Sequence, residues 1–164
     1  MSYPAFVERP ASAISELLAI PEFGAFMLSA PLLAAAPRGA GRRVLVLPGF
    51  TAGDVSTAPL RFALRALGHR PAPWGLGLNV GPDDETVRQL LRRLDQLVQQ
   101  NRGPIDIVGW SLGGIMARLL ALHHPDRVRQ VITLGSPIRV EDPEANLSES
   151  VRRLSQLAGL QRGR

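Results

Sequence analysis

The sequence predicts an α/β domain, a parallel sheet of about four strands with helices on both faces. Three observations carry this expectation. Short apolar runs alternate with helix-length amphipathic stretches from residue 43 to residue 134. One run, Ile105-Asp106-Ile107-Val108, leads into Gly109-Trp110-Ser111-Leu112-Gly113, a sharp turn between small residues that opens straight into an apolar helical stretch. Another, Arg43-Val44-Leu45-Val46-Leu47, stops abruptly at Pro48-Gly49-Phe50.

The elements follow in order. Residues 1–41 form a helical N-terminal segment, with pieces at 11–19 and 22–35 broken at Pro21. The stretch 25–36 is apolar but too short to span a membrane, and Pro31 interrupts it. Glu8, Glu16 and Glu22 stand where a secretory leader would carry basic residues, so the cytoplasm is the default compartment. Contact with a membrane surface is the sharper alternative for this segment. Residues 37–42 are a loop into the first strand, 43–47.

The core runs over 42–140. A helix at 57–67 can be capped by Ser56 or Thr57, carries Pro59 in its first turn and ends at Gly68. Residues 69–74 form a weak strand, which Pro71 and Pro73 confine to an edge. The glycine-rich stretch 75–81 has the wrong spacing for a phosphate loop and reads as a turn. Asp83 or Asp84 caps a long helix reaching Gln100, with Val87, Leu90, Leu91, Leu94, Leu97 and Val98 on its inner stripe. The strand at 105–109, the helix at 111–123 and the strand at 128–134 complete the core. Residues 141–164 form a polar helix and tail.

Composition excludes several function classes. At 164 residues the chain is one domain with room for a core. There is no cysteine, hence no disulfide and no thiolate metal site; no metal or cofactor is implied. All 19 basic side chains are arginine, so a P-loop lysine and a lysine nucleophile are both excluded. The net charge of +5 is spread over scattered arginines without aromatic interleaving, which argues against nucleic acid.

The segment 105–114 has the pattern of a nucleophile elbow, G-x-S-x-G between a strand and a helix. Ser111 sits at its tip. Gly109 and Gly113 are small because the strained serine backbone presses on its neighbours. The helix N-terminus below Ser111 offers free N–H groups to a developing oxyanion. With the strand ending at Pro48-Gly49-Phe50 and the run Val131-Ile132-Thr133-Leu134-Gly135-Ser136-Pro137, the chain resembles the α/β-hydrolase family on its lipase and esterase side, over roughly residues 42–140. The resemblance implies a partial α/β-hydrolase fold and a serine hydrolase acting on small or lipid-like carboxylic esters. It implies Ser111 as nucleophile and the N–H groups of Phe50 and Leu112 as the oxyanion hole. Pro48 replaces the family's usual histidine, a change that leaves a backbone donor untouched. Phe50, Trp110 and Leu112 would line an acyl pocket. The tail would begin a lid.

A serine nucleophile needs a base and a group to orient it. The family's order is serine, acid, histidine. Glu141 and Asp142 follow the last strand at a place where some members carry the acid; with Glu144 they fit equally well as surface charges opening a helix at Pro143. The histidines are His69, His123 and His124, and none fits the family's catalytic position. A catalytically inert, C-terminally truncated hydrolase, or a binding or membrane-surface module, is therefore the competing expectation. In such a chain 128–134 would be an open apolar edge, a site for self-association.

Overall fold

The computed structural model describes residues 36–136. From Arg38 onward these belong to one compact unit. The expected helical pieces at 11–19 and 22–35, the residues Glu141 and Asp142, and the tail helix lie outside the described residues.

Seven elements alternate along the chain: β1 (Arg43–Leu47), α1 (Ala58–Ala66), β2 (Arg70–Pro73), α2 (Asp84–Asn101), β3 (Ile105–Trp110), α3 (Leu112–His123) and β4 (Val128–Leu134). The strands form one parallel sheet in the order β2-β1-β3-β4. Every crossover carries a helix: the short α1 between β1 and β2, α2 between β2 and β3, and α3 between β3 and β4. The register sets Leu47 beside Gly109 and Trp110 beside Leu134. The C-terminal ends of β1, β3 and β4 therefore meet at one end of the sheet.

Alternation along the strands assigns the two faces. Leu45, Leu47, Ile105 and Ile107 pack with the stripe Val87, Leu90, Leu91, Leu94 and Leu97 of α2 and with Met116, Ala117 and Leu120 of α3. Val44, Val46 and Val108 point the other way, onto Leu60 and Leu64 of α1. Helices thus cover both faces, as expected. Each fully buried Leu, Ile or Val side chain contributes about 1.5–3 kcal/mol of transfer free energy.

Helix ends divide into expected and unexpected. The Asp83 carboxylate accepts from Thr86 N–H at 2.7 Å and caps α2. The same hydrogen bond holds the Asp83 carboxyl below its ordinary value. The left-handed residue that ends α2 is Arg102, at φ 55°, and not the adjacent Gly103. The capping expected of Ser56 or Thr57 does not occur. Thr57 takes a helical φ/ψ, its hydroxyl donates backwards to Asp54 O, and Ser56 donates to Gly53 O. These hydroxyls tighten the turn before α1 and leave the helix N–H groups alone.

The half-sheet formed by β3 and β4 is less covered on the α1 face. Trp110, Ile132 and Leu134 alternate onto that side and are 45%, 45% and 39% exposed. Among the described residues β4 is an open edge. No helix among them is long and apolar enough to cross a membrane.

Candidate active site

Ser111 stands between β3 and α3 with φ 51° and ψ −118°. Side chains rarely adopt this backbone, which costs about 1–3 kcal/mol and persists only where its surroundings over-determine it. Here they do. Ser111 N–H donates to Leu134 O at 2.8 Å, and Ser111 O accepts from Gly114 N–H at 2.9 Å. The Ser136 hydroxyl donates to that same carbonyl at 2.7 Å. The tip of the turn is thus fastened to the end of β4 by two bonds.

The glycines are required by contact. A Cβ at Gly109 would lie 2.5 Å from Gly114 N and closer still to the Gly113 carbonyl. A Cβ at Gly113 would lie 2.5 Å from Leu47 O and 2.6 Å from Pro48 O. Gly113 therefore seats the first turn of α3 directly on the end of β1. Gly114, which the motif does not include, is equally constrained: a Cβ there would meet Ser136 Cβ at 2.9 Å and Gly109 O at 3.0 Å.

That seating brings the loop after β1 beside the serine. A Cβ on Gly49 would be 3.5 Å from Ser111 Cβ. Residues 49–52 form a turn closed by Ala52 N–H to Gly49 O at 3.2 Å. Within it Thr51 has φ 55°, an outlier for a β-branched residue. The third non-glycine residue with positive φ among those described is Arg102. The two others, Thr51 and Ser111, both lie at this end of the sheet. Neither the Phe50 nor the Leu112 amide donates a hydrogen bond to another described residue. The Phe50 side chain is exposed, Trp110 half-exposed, and Leu112 half-buried against the core.

Three residues hold this loop that sequence reading passed over. Asn79, fully buried, donates from Nδ2 to Pro48 O at 2.8 Å and pairs through its backbone with Thr51 and Ala52. Asp54 accepts from the Trp74 and Gly75 amides at 3.0 Å each. Arg61 binds Asp54 O at 2.7 Å. The stretch 75–81 is a turn, as expected, and also a platform beneath 48–54.

The chain's three histidines lie elsewhere. His69 precedes β2, at the end of the sheet opposite Ser111, its ring against Gly39. His123 and His124 close α3, about 18 Å along the helix from Ser111 at ~1.5 Å per residue. His124 is buried, which pushes its pKa below the ordinary value, and the Arg127 cation adds to the shift. A base must reach within about 3 Å of the serine hydroxyl.

Comparison with known proteins accords with this geometry. A family model described as alpha/beta hydrolase fold matches residues 30–163. A pimeloyl-[acyl-carrier protein] methyl ester esterase of Neisseria meningitidis serogroup B is 44% identical over 50 residues, 30% of this chain and 19% of that protein. The serine hydrolase BPHL of Mus musculus is 25% identical over 122 residues, 69% of this chain and 42% of that one. The chain thus spans less than half the length of either relative. The crystal structure of the mature Bacillus licheniformis lipase BlEst2 shares the fold at TM-score 0.50 and 20% identity, covering 77% of this chain and 60% of the lipase. The match over most of its length, with a parallel sheet and a strained serine between β3 and α3, makes this chain a member of the α/β-hydrolase fold family.

Proposed function

We propose that this chain carries the nucleophile and oxyanion half of a serine hydrolase acting on carboxylic esters. Ser111 is the nucleophile, and the Phe50 and Leu112 N–H groups are the oxyanion donors. The observation that carries this is the strained Ser111 backbone, held by Leu134 and Ser136 beside two amides without described partners. Strain persists where the fold over-determines it, and a residue so held is preorganised. Attack by Ser111 Oγ on an ester carbonyl would place negative charge on the carbonyl oxygen. Two backbone donors without partners among the described residues would stabilise that charge without reorganising. The relatives named as methyl ester esterases favour an ester, and the exposed Phe50 and Trp110 favour an apolar acyl group. Glu141 or Asp142 is the proposed acid. The compartment is taken as the cytoplasm on the sequence expectation alone.

The reading requires a base other than the three histidines. Their placement favours a second reading, in which this chain binds but does not turn over. Hydrolysis of p-nitrophenyl butyrate separates the two. Turnover above the buffer rate by the purified chain, lost in Ser111→Ala, is the expected result. Equal, background-level rates from both proteins would sink the hydrolase reading for this chain and leave the binding one.

A further inference from the structure

We propose that Asn79 is a positioning residue for the oxyanion hole, holding the loop that carries the Phe50 amide. The inference rests on the hydrolase reading. Asn79 lies 31 residues from Pro48 in sequence and is fully buried. Burying an amide is costly unless its hydrogen bonds are made. This one makes three of them to a single loop. Nδ2 donates to Pro48 O at 2.8 Å. The backbone N–H donates to Ala52 O at 2.8 Å, and the carbonyl accepts from Thr51 N–H at 2.7 Å. Oδ1 accepts from Gly81 N–H at 3.2 Å, and Nδ2 also lies 3.7 Å from Met116 Sδ on α3.

The three bonds to the loop fall on residues 48, 51 and 52 and bracket Phe50, whose own amide they leave free. They also oppose the strain at Thr51, whose left-handed backbone is flanked on both sides by bonds to Asn79. The acceptor Pro48 O is one of the two carbonyls, with Leu47 O, on which Gly113 seats α3. Asn79 therefore ties the Phe50 loop to the element that carries Leu112, and so sets one donor relative to the other. A buried asparagine that merely closes a loop would affect stability alone. Asn101, half-buried at the C-terminal end of α2, donates to Gly103 O and Pro104 O and supplies the comparison of a loop-closing asparagine away from the site.

The test is phosphonylation of Ser111 by the neutral diester ethyl p-nitrophenyl ethylphosphonate. The Oγ–P bond forms, the P–O bond to nitrophenol breaks, nitrophenolate leaves with the electron pair and the hydroxyl proton passes to solvent. The phosphonyl oxygen occupies the oxyanion position. Wild type, Asn79→Ala and Asn101→Ala are compared by nitrophenolate release, and hydrogen exchange is followed over residues 48–53. The expected result is labelling slowed about tenfold or more in Asn79→Ala, given that deleting a whole oxyanion donor costs about 10²–10³. Exchange at 48–53 rises, while Asn101→Ala labels at the wild-type rate. Wild-type labelling rates in Asn79→Ala would overturn the inference. If wild type itself is not labelled, the hydrolase reading fails, and exchange alone decides: unchanged protection at 48–53 overturns the inference, raised protection loss there upholds the pinning. If Asn79→Ala does not fold, Asn79→Ser, which keeps the backbone pair and a hydroxyl donor, is judged by the same outcomes.

Discussion

Adding one methyl group at Gly113 would drive it to 2.5 Å from Leu47 O, a backbone atom in the central strand pair. Backbone cannot turn aside as a flexible side chain can, so α3 must shift off β1. Overpacking of this kind costs about 2–3 kcal/mol, and Gly113→Ala is expected to lower the melting temperature by about 5–10 °C. Gly103→Ala is the control. Nothing lies within 4 Å of its Cβ, and its stability should change by less than about 0.5 kcal/mol. Equal melting temperatures for the two variants, read by circular dichroism, would show that the tight seat is not a constraint. The comparison separates a glycine that a close approach demands from one that merely follows a helix.

Helix α3 starts at the Ser111 turn and ends at His124. His124 is 4% exposed, near Arg127, Asp126, His123 and Asp95. Burial and the Arg127 cation depress its pKa in the folded chain below the ordinary 6.5. The unfolded chain therefore takes up a proton at a higher pH than the folded one. Stability from this group is full above pH 6.5 and falls as the pH drops through the folded value. His124→Gln should remove that fall, so its melting temperature between pH 7.5 and pH 5 should decline less than the wild type's. A wild-type curve that rises on acidification relative to the variant would reverse the sign and refute the assignment. Elements were also the scale at which the sequence was most legible. The strand at 43–47 and the stripe on α2 are patterns of local apolar spacing, and burial follows them directly; the apolar run at 128–134 is equally legible as a strand, yet Ile132 and Leu134 stay exposed. The elbow was legible because its small residues sit two apart on either side of one serine. Asn79 was not, because a polar residue in a glycine-rich stretch looks like any turn and its partner lies 31 residues away. In the sequence Ser136 is only the end of a strand's run, and nothing local reveals that its hydroxyl reaches back to Ser111. The failed caps at Ser56 and Thr57 have the same origin: a hydroxyl has two directions to bond, and only the fold selects one.

Among the described residues the sheet is finished on one side and open on the other. Pro71 and Pro73 remove donors from β2, which blunts that edge. β4 carries no such device, and Ile132 and Leu134 are exposed beside Trp110. Self-association through this side is the expected consequence, seen as a weight-average mass that rises with concentration in sedimentation equilibrium. Ile132→Lys, at a half-exposed position, should hold the chain at its monomer mass with little change in melting temperature. A mass independent of concentration in the wild type would exclude the contact. The bonds on Ser111 from Leu134 and Ser136 carry a further consequence, for the order in which a ribosome delivers the chain. The Phe50 loop waits for residue 79 to emerge, and the serine turn waits for residues 134 and 136. Loop closure over such separations precedes any reward from the contact. A nascent chain halted before residue 134 would hold the central strand pair and Ser111, yet lack the clamps on its turn. The Ser111 turn thus takes its final form only after residue 136 has been delivered, when the core around it has already begun to fold.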